Sequence, residues 1–139
     1  MRRRRRRCYE LTDADPELIA VTDWYYMTLK RLGNDEEAAK ILARITDHMN
    51  PGENTAYYAR LLMYKGLKKP EELLSADPEE VTALELITMG FGIANYFLQN
   101  GQPDKAYDLM ERVVKAGDEN DCYFAFAYLA SKVDLAHKG

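Results

Sequence analysis

Cysteine is nearly missing from this chain. Cys8 and Cys122 stand near opposite ends with no CxxC or Cys/His spacing around either, a pattern that offers neither a disulfide framework nor a metal site. Long apolar runs are missing as well: nothing approaches the ~18 residues of a membrane span. The basic start lacks the apolar stretch of a signal peptide, because CYELTDADPE follows it directly. Eight glycines and five prolines are too few for long disordered linkers. A glycine-rich phosphate loop, a Walker pattern and a GxSxG elbow are all lacking. A cytoplasmic protein without cofactor or metal is the expectation, and membrane attachment is not expected.

What is present begins with charge. The formal net charge of -4 conceals a division: without Arg2, Arg3, Arg4, Arg5, Arg6 and Arg7, 13 basic residues face 23 acidic ones, a balance of -10. Such a body repels phosphate, so nucleic-acid binding has to rest on the arginines alone. These read as a segment outside the fold: a disordered tail, a tag or a chance low-complexity start. The alternative is an electrostatic arm for nucleic acid or an anionic surface. A length of 139 residues suits one domain, expected over residues 8–139 with a poly-Arg tail over 1–7.

Beyond the arginines, helical periodicity accounts for nearly everything, and no segment alternates as a strand does; the fold class is all-α. Asp15-Pro16-Glu17 and Asp77-Pro78-Glu79 each set a capping acceptor before a proline suited to the first helical turn. Asn34 has Glu37 three residues on, the spacing of a capping box, and another helix can begin near Asn54 and Thr55. Gly33, Gly66, Gly101 and Gly117 each follow an apolar-periodic run, as where a chain leaves a helix in a left-handed conformation. These signals predict helices over 16–32, 35–48, 54–65, 69–75, 78–99, 103–116 and 119–136, joined by short turns as antiparallel neighbours.

The segments RLGNDEEAAKIL (31–42) and QNGQPDKAYDLM (99–110) match at an offset of 68 residues, with Gly33 on Gly101 and Ala38 on Ala106. Apolar positions hold the register, Tyr25 with Ile93, Ile41 with Leu109 and Ile45 with Val113 among them. Twice a ~34-residue period fits that offset, and TAYYARLLMYKGLKKPEELL supplies a clipped middle unit around Gly66. On the Gly-x-x-x-x-Ala spacing, the chain resembles the tetratricopeptide-repeat (TPR) family over roughly residues 8–136, with units near 16–50, 51–77 and 78–118 and a capping helix over 119–136. It departs from the family pattern where Thr22 and Gly90 take the early Trp position and Tyr25-Tyr26 and Ile93-Ala94 replace Leu-Gly. The resemblance implies antiparallel helix pairs stacked as a right-handed α-solenoid whose first helices line a concave face.

Catalysis is not expected. His48 and His137 read as surface residues near helix C-termini, and Asp35-Glu36-Glu37 and Glu79-Glu80 as first-turn acids without the further ligands a metal needs. The aromatic groups Trp24-Tyr25-Tyr26, Tyr57-Tyr58 and Tyr123-Phe124 read as core, with one member of each able to reach the surface. The family register puts Asp23, Met27, Lys30 and Arg31 on the concave face from the first unit, and Thr88, Phe91, Asn95 and Gln99 from the third. The expectation is a non-catalytic protein–protein interaction module holding a peptide or partner protein there, as a scaffold or a fragment of a longer repeat protein. The mixture could clamp a peptide backbone at Asn95 and Gln99 and receive a carboxylate at Lys30 and Arg31; a merely solvated polar face is the competing reading. The start of the chain lacks a cap in this pattern, which suggests a homodimer through that end or a missing upstream segment. The closing segment NDCYFAFAYLASKVDLAHKG should pack through Ala125, Ala127 and Ala130.

Overall fold

The computed structural model describes residues 15–75, 78–120 and 126–138, and the backbone alone at Pro78 and Phe126. Arg2–Arg7, Cys8, Asp77, Cys122, Tyr123, Phe124 and Ala125, on which several expectations fall, lie outside the described residues, as does the start of the chain with its proposed uncapped end. Every regular element among the described residues is helical, and no helix among them is long and apolar enough to cross a membrane. The chain divides into two compact units, residues 1–69 and 70–139.

The first unit contains α1 (Asp15–Arg31), α2 (Asp35–Leu42) and α3 (Thr55–Tyr64). Helix α1 packs against both others, and Ile19, Tyr25, Leu29, Ala38, Ile41, Ile45 and Leu61 form the core between them. Helix α2 stops at Leu42, six residues before the predicted end at 48. The cause lies in α3 and in Lys65, which caps its end. Lys65 Nζ donates to the carbonyls of Leu42 and Ile45, the Tyr58 hydroxyl donates to that of Thr46, and Met49 N donates to the Tyr58 oxygen. Carbonyls at and just beyond the helix end are thus satisfied from outside. The loop that follows is pinned to the start of α1, where Asn50 N donates to Asp15 Oδ2 at 3.1 Å and Asn54 Nδ2 to the Pro16 carbonyl at 2.8 Å. Asp15, expected as a cap, is therefore a first-turn residue turned toward that loop.

The second unit holds α4 (Pro70–Leu73), a 3-10 turn at Pro78–Glu80, α5 (Ala83–Gln99), α6 (Pro103–Glu119) and α7 (Phe126–Ala136), the last three packed on one another. Helix α5 starts at Ala83 rather than at the expected 78. Thr82 caps it: its hydroxyl accepts from Glu85 N at 3.2 Å while Glu85 Oε2 accepts from Thr82 N at 2.9 Å, a complete capping box. Helix α6 runs through Gly117, which was expected to end it. No left-handed turn is needed there; a methyl group on Gly117 would lie 2.2 Å from Tyr128 Cδ2, so the glycine admits the ring of α7.

Three turns share one geometry. Gly33, Gly66 and Gly101 have φ of 74°, 80° and 71°, and the following amide in each case bonds five residues back: Asn34 to Leu29, Leu67 to Leu62 and Gln102 to Phe97, at 2.9, 2.9 and 2.8 Å. This is the Schellman closure, in which left-handed glycine lets the amide reach an orphan carbonyl of the last helical turn. The alanines that follow two of these turns, Ala38 and Ala106, are buried.

Candidate functional site

Within the first unit, α1 and α3 enclose a charged pair in an otherwise apolar setting. Asp23 and Arg60 are both 0% exposed, with Arg60 Nη2 2.9 Å from Asp23 Oδ2. The same Nη2 lies 3.2 Å from the thioether of Met27, a weak acceptor. The guanidinium carbon sits 5.2 Å from the centre of the Trp24 ring and 5.4 Å from that of Tyr57, within cation–π range. Trp24 and Tyr57 are half-buried and meet edge to face at 5.9 Å, while Tyr26 and Tyr64 stack at 4.8 Å. The second carboxylate oxygen, Asp23 Oδ1, has no hydrogen-bond partner, and neither has the buried Thr22 hydroxyl.

Electrostatics follow from that geometry. Burial disfavours the ionised carboxylate and lifts the Asp23 pKa from 3.8 to about 6, although the charge of Arg60 pulls the other way. Burial also pushes the Tyr64 hydroxyl well above the usual phenol range. For Arg60, burial opposes the charge, but Asp23 and Tyr64 outweigh it and hold the guanidinium above its ordinary value.

The residues expected on a binding face divide by exposure. On α1, Asp23 and Met27 are buried, Lys30 is half-buried with Nζ 2.9 Å from Asp35 Oδ1, and Arg31 is exposed. On α5, Phe91 and Asn95 are buried, with Asn95 Nδ2 donating to the Phe91 carbonyl at 2.8 Å, while Thr88 and Gln99 are half-buried. Lys30, Arg31, Thr88 and Gln99 are therefore the four that keep accessible surface. Helical spacing collects each quartet on its own helix.

Other features stand apart from the pair. His48 is exposed with Nδ1 2.8 Å from Asp47 Oδ1, and His137 Nδ1 donates to the Val133 carbonyl. No group of three or more His, Cys, Asp or Glu among the described residues could hold a metal ion. The second unit carries a cleft of about 280 Å³ with Leu74, Val81, Leu86 and Ala116 as apolar walls and Arg112 and Glu119 as charged ones.

Arg60, Trp24, Tyr57 and Tyr64 were not among the residues expected to act together. A signal for them exists in the sequence. Arg60 is the only charge in TAYYARLLMY and Asp23 the only one in LIAVTDWYYM, and single opposite charges inside apolar helices must find each other or go unpaired. A scan against family models, a search of curated proteins and a search of solved structures each return no match to this chain.

Proposed function

We propose that the chain is a non-catalytic protein–protein interaction module, a short TPR-like stack of helix pairs that takes a peptide or a segment of a partner protein on the side presented by its first helices. The observation that carries this reading is the recurrence of one helix-ending turn at Gly33, Gly66 and Gly101, each closed by the same five-residue back-bond. Spacings of 33 and 35 residues between these glycines bracket the ~34-residue period of TPR arrays. Helix pairs of that length expose an apolar side that neighbouring pairs cover, and arrays of them offer extended surfaces to ligands. In this reading Lys30 and Arg31 make the outer contacts of the first unit, over Asp23 and Met27, and Thr88 and Gln99 those of the second, over Phe91 and Asn95. A cytoplasmic location goes with it.

Selection from a displayed peptide library, followed by mapping of the recovered peptide through amide shifts, tests the reading. Shifts should concentrate at Lys30, Arg31, Thr88 and Gln99. The double variant Arg31→Glu, Gln99→Ala should weaken binding by about tenfold, equivalent to roughly 1.4 kcal/mol, and removal of residues 2–7 should leave it intact. Unchanged affinity in the double variant, or loss of binding with the arginines, overturns the assignment.

A further inference from the structure

The Asp23–Arg60 pair has a property that a static structural ion pair does not need: the cation is already walled by groups that can hold it when the carboxylate loses its charge. Arg60 contacts Asp23 through one nitrogen, and the same guanidinium is walled by Trp24, Tyr57 and the Met27 sulfur. Aromatic faces hold a desolvated cation without a counter-ion. Asp23, for its part, keeps one oxygen without a hydrogen-bond partner, where a protonated carboxyl can carry its hydrogen and lose its charge. The groups that would hold the cation without its counter-ion thus touch it already in the paired state, within one helix interface.

Titratable groups that bear on the pair come from both helices. Helix α1 contributes Asp23 and Tyr26, and α3 contributes Tyr57, Arg60 and Tyr64. Helix α2 acts through Asp35, whose charge reaches Tyr26 rather than Asp23.

We propose that Asp23 and Arg60 form a proton switch inside the first unit: mild acidification neutralises Asp23, releases Arg60 from it onto the Trp24 and Tyr57 rings, and leaves the helices folded. The direction agrees with burial, which favours the neutral carboxyl over the ionised one. Because Trp24 and Tyr57 are half-buried, the change is felt at the surface above the pair. The charge gained there is one unit and lies within α1 and α3.

Trp24 is the single tryptophan of the chain, so its fluorescence reads the switch directly. Over the range from about pH 7.5 to about pH 5, where few side chains other than histidine normally titrate, emission of the full chain should follow a one-proton curve with a midpoint near 6 while far-ultraviolet circular dichroism stays constant. Asp23→Asn should abolish the transition, and the double variant His48→Asn, His137→Asn should retain it. A flat wild-type profile, a transition that persists in Asp23→Asn or vanishes in the histidine variant, or parallel loss of helix overturns the proposal. If Asp23→Asn does not fold, the carboxyl carbon shift of Asp23 in the wild-type chain decides. A midpoint near 6 supports the switch, and one among ordinary carboxylates, at about 4, refutes it.

Discussion

A methyl group placed on Gly117 would lie 2.2 Å from Cδ2 and 2.8 Å from Cε2 of Tyr128, and the ring has little freedom to retreat because its hydroxyl donates to Asp118 Oδ1 at 2.6 Å. Gly117→Ala should therefore destabilise the second unit by about 1–3 kcal/mol through overpacking, more than the ~1 kcal/mol that alanine contributes to helix propensity. Thermal denaturation followed by circular dichroism checks this, and an unchanged or raised midpoint contradicts it. At Gly33, by contrast, an added methyl meets nothing within 4 Å, and the constraint is the positive φ alone. Both kinds of glycine look alike in sequence. Three of the four expected left-handed stops are present, and the fourth differs because a contact with α7, invisible in local pattern, decides it.

Caps explain most of what could be read at the level of elements. Asn34 accepts from Glu37 N at 3.3 Å as its spacing predicts, although the return bond runs from Asn34 Nδ2 to Glu37 Oε2 and not from the backbone. The start of α5 was obscured because two signals lie five residues apart: Asp77-Pro78-Glu79, which produces only a 3-10 turn at Pro78–Glu80, and Thr82-x-x-Glu85, which starts the long helix. Thr82→Ala removes the acceptor for Glu85 N and should cost about 1 kcal/mol, visible as a lower urea midpoint for the second unit; no change would show that the turn at 78–80 carries the helix start. The end of α2 could not be read locally at all, since Lys65 and Tyr58 of a later segment capture carbonyls at and just beyond it. The same holds for the charged pair: Asp23 and its helix face were legible, but Arg60 became its partner only through the packing of α3 on α1.

For the molecule as a whole, the two units should answer to pH with opposite sign. Asp23 has a folded pKa of about 6 against an ordinary 3.8, so between these values the folded first unit holds a proton that the unfolded chain has released. Its contribution to stability is thus greatest at the acid end and falls as pH rises through about 6, by roughly 3 kcal/mol at about 1.4 kcal/mol per pKa unit. The exposed Asp47, lowered by its bond to His48, acts in the reverse sense, and subtraction of an Asp23→Asn profile removes it. In the second unit Glu85 is held below its ordinary value by the backbone of Thr82, so that unit loses stability as pH falls through the carboxylate range. Hydrogen exchange, corrected for intrinsic rates, should show slower opening at Leu29 and Leu61 on mild acidification in wild type relative to Asp23→Asn, and no such gain at Ile93 and Met110. Equal responses in both units would remove Asp23 as the cause. The contact between Arg60 and the Met27 sulfur has a separate consequence. Met27 is 3% exposed, so peroxide can convert it to the sulfoxide only when the first unit opens. Its oxidation then sets a bulkier, more strongly accepting oxygen against the guanidinium, and chemical damage at that one atom would compete with Asp23 for the same cation.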